Sequence, residues 1–235
     1  GKLDTSDHSA EELDKLTQTH LGSLRFFVDV YTSEEDPRTL SPKFVIATSA
    51  LSENIEHAVS LTCEIKNSTD FNDPDKIRDI LTQTRLRMEQ GYATSGNSSA
   101  LLLCSSYVSK TALLREQLSG VDFYRFLKGL LADFDASFDA VVERLVDVAA
   151  RIFALDGTIV SFKGTPNDRD RFWELAGTLD LSPVENTVRL TVPEPHVKNE
   201  AFILPADVCF AAKGSNAQLL DTPYEGSRQQ AAQAL

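Results

Sequence analysis

Histidine, cysteine, serine–lysine and acidic side chains are where chemistry would be sought, and in this chain they do not gather. The four histidines, His8, His20, His57 and His196, share no ligand spacing. Neither His-x-x-Glu-His nor His-Glu-x-x-His occurs, the patterns in which two imidazoles on one helical face hold zinc while a glutamate activates water. His57 falls in a helical pattern with no second ligand in range, and it reads as a structural or solvated side chain. Asp133, Asp135 and Asp139 lack the twelve-residue spacing and terminal glutamate of a calcium loop, so they read as a solvated helix junction. Ser109-Lys110 has the look of a Ser-Lys hydrolase, and Ser106 to Ser109 that of a Ser-x-x-Ser motif. A catalytic lysine must be buried to lose its proton, whereas Lys110 follows a helix cap at an expected surface. Ser109 therefore reads as a cap. There is no Gly-x-Ser-x-Gly elbow and no glycine-rich phosphate loop ending in Lys-Ser/Thr. The residues assign no catalytic, cofactor-binding or metal-binding position.

The bulk properties narrow the partners. The net charge is -12 over 235 residues, with a sequence pI near 4.8. Such a surface repels phosphate backbones, which argues against nucleic acid and for solubility or attraction of basic peptides. No run approaches the roughly 18 apolar residues that would cross a bilayer, so no membrane partner is expected. No signal peptide opens the chain. The chain starts on Gly-Lys in mid-pattern and stops at Gln-Ala-Leu, which reads as a piece of a longer protein. Cys63, Cys104 and Cys209 are odd in number and far apart, as expected of small apolar residues in a reducing compartment.

Around these residues the patterning predicts helices and strands. Ser9 and Glu12 have capping-box spacing, opening a helix that stops at Gly22. Leu24, Phe26, Val28 and Val30 alternate with Arg25, Phe27, Asp29 and Tyr31 as a strand. Residues 34–37 turn into a second strand over 43–47. Ser52 caps a helix with Ile55, Val59 and Ile65 inward. Asn72-Asp-Pro74 starts the next, carrying Ile77, Ile80, Leu81 and Met88, with a kink between Gly91 and Ser99. Ala100, Leu101, Leu103, Cys104 and Val108 then form a core face. A helix capped by Ser109 stops at a left-handed Gly120. Phe123, Phe126, Leu127, Leu130 and Leu131 stripe the one after. A helix over 138–153 places Val141, Val142, Leu145, Val148, Ala149 and Ile152 inward. Asp156-Gly157 is a turn, 158–162 a third strand, and Pro166 or Asn167 opens a helix anchored by Phe172, Trp173, Leu175 and Leu179. The proline-punctuated run from Ser182 to Asn199 is a linker. Residues 201–204 and 207–212 are strands, and Ser227 starts a helix. The fold class is α+β, an antiparallel sheet packed against a layer of helices.

The order of these pieces resembles the insulinase-like (pitrilysin superfamily) zinc metallopeptidases, in the branch containing the presequence proteases. The most specific piece is SGNSSALLLCSSYVSKTAL followed by LREQLSGVDFYRFLKGL, residues 95–130. The stretch from Ser9 into the first strand, with EELDKLTQTHLGSL, resembles the family's helix and approach to a strand. Ser41 to Leu51 and NDPDKIRDILTQ resemble the strand and helices that follow, and NEAFILPADVCFAAKG the first strands of its last domain.

The resemblance implies four α/β domains in two halves around a chamber for unfolded peptides, with zinc in the amino-terminal half. This chain would then supply residues 1–182 as the third domain without its first strand, 183–199 as a linker and 200–235 as the start of the fourth. Its sheet would be incomplete, with the edge covered near 207–212 or by a partner. The parent would be a zinc metalloendopeptidase of the bacterial cytoplasm or an organellar matrix. This part would be inactive, binding no zinc and working with the catalytic half of the same chain on unfolded peptides. Metal-free scaffold relatives of the fold, and an unrelated peptide-binding interaction module, are the alternatives.

Overall fold

In the computed structural model, which describes residues 2–33, 39–153, 158–177, 191–204 and 207–214, regular structure begins at the Ser9 capping box. The Ser9 hydroxyl accepts from the Glu12 amide, and Glu12 Oε2 accepts from the Ser9 amide at 2.9 Å. This satisfies two otherwise free amides at the start of α1 (Ala10–His20). The helix ends at Leu21, which turns extended, so the stop precedes Gly22 and runs straight into a strand. Gly22 gives close approach instead: a Cβ there would lie 3.0 Å from Ser49 Oγ on the paired strand, tight unless that hydroxyl shifts.

Strands β1 (Leu21–Thr32) and β2 (Leu40–Ala50) form an antiparallel pair, longer at both ends than the alternation predicts. Among the described residues the sheet has these two strands alone. The chain folds into two units, residues 1–29, 43–83 and 129–189, and residues 30–42, 84–128 and 190–235.

In the first unit, the core joins α1, the strands and α2 (Ile55–Ser68). Leu13, Leu21, Ala58 and Leu61 are buried together, with Leu16, Leu24, Ala50 and Ile65 packed on them. This is the helix-on-sheet packing of an α+β fold. Ser52 does not cap α2. It lies in a single 3₁₀ turn, and its hydroxyl bonds Asp168 instead. Asp73 Oδ1 accepts from the Lys76 amide at 2.9 Å, opening α3 (Pro74–Ser106) as the sequence predicts. Phe134 is 1% exposed and lies under the Arg78 guanidinium at 4.8 Å. It begins α6 (Phe134–Ile152), four residues earlier than predicted. Val148 and Ile152, expected inside, are exposed. A Thr165–Asp168 capping box with Pro166 in the first turn starts α7 (Pro166–Ala176). The third strand expected at 158–162 does not form. A β-branched, apolar run makes a strand only where a partner offers a ladder, and this stretch instead sets Phe162 against Phe172, ring centroids 5.3 Å apart.

In the second unit, α3 is broken at Ser95 (φ −138°, ψ 36°), inside the kink the sequence indicates. Leu101, expected in the core, is exposed. Helix α4 (Lys110–Ser119) is followed after Gly120 by α5 (Val121–Ala132). Gly120 is not left-handed, since its φ is −97°. It is required because a Cβ would fall 2.5 Å from Glu116 Cδ and 2.8 Å from the Glu116 carbonyl oxygen. Residues 201–204 and 207–212 are not strands, and Ile203 is fully exposed. The turns at 34–37 and 156–157, the linker residues 182–190 and the helix from Ser227 lie outside the described residues. Among the described residues no helix is long and apolar enough to cross a membrane.

Candidate functional site

The second unit holds a groove of about 200 Å³ where the end of α3, the faces of α4 and α5, and residues 193–200 meet. Two local devices shape it. Ser109 caps α4, its hydroxyl accepting from the Ala112 amide, so the chain turns sharply between Tyr107 and Lys110. Glu116, 1% exposed, joins α4 to α5: its Oε1 accepts from the Val121 amide at 2.6 Å and the Asp122 amide at 3.3 Å. Burial pushes the Glu116 carboxyl above the usual carboxylate range, while the two amides pull it back. Behind it, Tyr92 and Tyr124 meet edge to face at 5.6 Å, and the Tyr124 hydroxyl donates to Glu89 at 2.8 Å. Burial, with Glu116 adding, pushes the Tyr92 phenol up to about 12.

At the groove mouth the Tyr107 hydroxyl donates to Glu200 Oε2 at 2.5 Å. Burial first, and then this bond, hold the phenol above its ordinary value, so Tyr107 is a proton-bearing donor at neutral pH. Lys110 Nζ pairs with Glu194, and Lys198 Nζ sits 5.9 Å from the Tyr107 ring centroid. Arg125 pairs with Asp122 at 3.2 Å and lies 5.2 Å from the Phe202 ring centroid. The Ser106 hydroxyl donates to the Leu103 carbonyl at 2.7 Å, within its own helix. The Ser109 hydroxyl caps α4 and Lys110 pairs with Glu194, so the Ser109-Lys110 pattern forms no nucleophile–base pair. The groove's chemistry is that of binding: the cations Arg125 and Lys198, the carboxylates Asp122, Glu194 and Glu200, a phenol donor and the apolar residues Leu103 and Leu113.

The structure separates most of the remaining candidates and joins two. His8 Nδ1 bonds Glu64 Oε1 at 2.9 Å, and that bond raises its pKa from the ordinary value. Asp133 and Asp135 stand at the start of α6, where Asp135 pairs with Arg78. His196 lines the groove. His20 and His57, far apart in sequence, stack with centroids 3.8 Å apart and planes at 16°. Sequence spacing gave no sign of this pair, because α1 and α2 are brought together by their buried leucines. Nearly parallel rings direct their in-plane nitrogen lone pairs side by side, so they do not converge on one ion. Among the described residues no three His, Cys, Asp or Glu side chains gather as metal ligands.

Comparison with known proteins adds the family. The family described as peptidase M-16C associated matches residues 1–130, more than half of the chain. Protein HypA of Clostridium perfringens is 26% identical over 97% of this chain and 23% of its own length. The mitochondrial presequence protease of Yarrowia lipolytica is 27% identical over 89% of this chain and 22% of its own length. That of Drosophila melanogaster is 24% identical over 94% of this chain and 21% of its own length. The chain thus spans under a quarter of the length of each of these relatives.

Proposed function

Because the chain belongs to the peptidase M-16C associated family, we propose that it is the non-catalytic part of a zinc metalloendopeptidase that degrades unfolded peptides. In this reading it walls the peptide chamber, excluding water and folded substrates, while hydrolysis takes place on polypeptide carrying the zinc motif. The family match across α1 to α5 carries the reading. It is supported by relatives named presequence proteases and by a groove equipped for binding rather than bond cleavage. A net charge of -12 would draw basic peptides toward the wall by long-range attraction. The compartment proposed with it is a bacterial cytoplasm or an organellar matrix.

The experiment compares this chain alone with the same chain joined to a segment bearing His-x-x-Glu-His, on a basic fluorogenic peptide, with and without zinc. The expected result is cleavage by the joined protein only. Zinc-dependent cleavage by this chain alone would refute the division of labour. A joined protein that binds the peptide without cleaving it would favour a scaffold.

A further inference from the structure

Residues 191–204 carry no helix or strand, and Pro193, Glu194, His196, Lys198 and Glu200 among them line the second unit's groove. Between them Val197 is 80% exposed, and beyond them Ile203 is fully exposed. The anchors are polar or cation–aromatic: Glu194 to Lys110, Glu200 to the Tyr107 hydroxyl, and Phe202 beneath Arg125. The Glu194 side chain is 73% exposed, and an ion pair that open to water holds weakly. The walls of the groove do not depend on these anchors. Glu116 ties α4 to α5, and Tyr92 packs on Tyr124, through contacts that use no residue of the segment.

A segment with no helix or strand of its own, held on a groove by a few side-chain anchors and leaving large apolar residues in water, is seated as a peptide ligand is seated. We propose that residues 191–204 are a releasable strap, and that the groove beneath it is a binding site for an extended acidic peptide in trans. The recognised pattern is the strap's own: two carboxylates six residues apart and an aromatic two residues after the second. Charge complementarity selects it: Lys110 pairs with Glu194 and the Tyr107 hydroxyl donates to Glu200, while Arg125, which also pairs with Asp122 in the groove, lies against Phe202. The proposal stands apart from the peptidase reading, which concerns basic peptides and the chamber as a whole.

The test uses a fluorescein-labelled peptide, TVPEPHVKNEAFIL, and anisotropy. The strap-loosened variant Glu194→Lys/Glu200→Lys should bind it at least about tenfold more tightly than the wild type, whose tethered strap competes at an effective concentration on the order of millimolar. Binding should weaken as salt rises, and Lys110→Glu in the loosened background should remove it. A peptide with both glutamates changed to glutamine and phenylalanine to alanine should not bind. Helical circular dichroism checks the fold, and Glu194→Gln/Glu200→Gln replaces the lysine variant if that variant unfolds. No binding to any variant, equal binding to wild type and loosened protein, or equal binding of the substituted peptide would each overturn the proposal.

Discussion

Replacing Glu116 with alanine removes a side-chain acceptor that joins α4 to α5, and the size of the loss can be worked from its contacts. The Val121 and Asp122 amides, bonded at 2.6 and 3.3 Å, lose their carboxylate. Losing a helix N-terminal cap costs about 1 kcal/mol. Leaving the part-buried Val121 amide unsatisfied costs about 1–3 kcal/mol. Asp122 is exposed, so water replaces its acceptor at little cost. Against these losses stands relief from burying a carboxyl whose pKa the fold raises. The net expectation is a destabilisation of roughly 2 kcal/mol, which for a chain of this size lowers Tm by about 4–8 °C. Glu116→Gln keeps one carbonyl acceptor and should lose less than about half of that.

The pH dependence supplies a second reading of the same group. A carboxyl whose folded pKa is raised stabilises most fully below its unfolded value, and that contribution is lost as pH rises through the folded value. The glutamine variant has no such titration. Its deficit against the parent should therefore be greatest near about pH 4.5 and shrink as pH rises. Thermal melts followed by helical circular dichroism measure both effects. An alanine variant melting within about 1 °C of the parent would refute the linking role. A glutamine deficit that grows with pH would refute the assigned cause of the shift.

Other perturbations have simpler expectations. Leu13→Ala, at a fully buried site in the first unit, should cost about 2–5 kcal/mol in denaturant unfolding. Gly120→Ala should destabilise the chain although the backbone there is ordinary, because the new Cβ meets the Glu116 side chain and carbonyl; a neutral melt would contradict the close approach. The His8–Glu64 bond raises the His8 pKa, so its stabilising contribution is present below about pH 6.5 and is lost as pH rises through the folded value. His8→Gln should accordingly flatten the fall of Tm across that window. Gly96→Ala puts a Cβ 2.5 Å from Phe210 Cε2 and should expose residues 207–214 to proteolysis, read by mass spectrometry of the nicked chain.

What could be read from the sequence was what neighbours along the chain decide. The Ser9–Glu12 box, Pro74, the Ser95 break, the Ser109 cap and Pro166 each act within one turn of themselves, and each stands where its residue type placed it. Strand readings fared differently. Leu24 to Tyr31 became β1 because β2 lies beside it, whereas 158–162 and 201–204 are short apolar runs that have no ladder to join among the described residues. A period of two reports which side of an extended chain is apolar; it does not report whether a partner exists. The stacked His20 and His57 were illegible for the same reason, since their meeting depends on leucines elsewhere in α1 and α2.

The groove shows how a local rule sets up a site it does not describe. Tyr107 and Lys110 are three residues apart, a spacing that would put them on one face of an unbroken helix. The cap at Ser109 interrupts the helix between them, so the phenol leaves from the end of α3 and the ammonium from the start of α4. That divergence lets one segment meet both, Glu194 on Lys110 and Glu200 on Tyr107. Ser109, which the sequence reads as a cap despite its Ser-Lys look, is what separates two ends of a binding surface. Its substitution by alanine would act on the groove through the angle between α3 and α4, and so should weaken strap seating while leaving the helical content nearly unchanged.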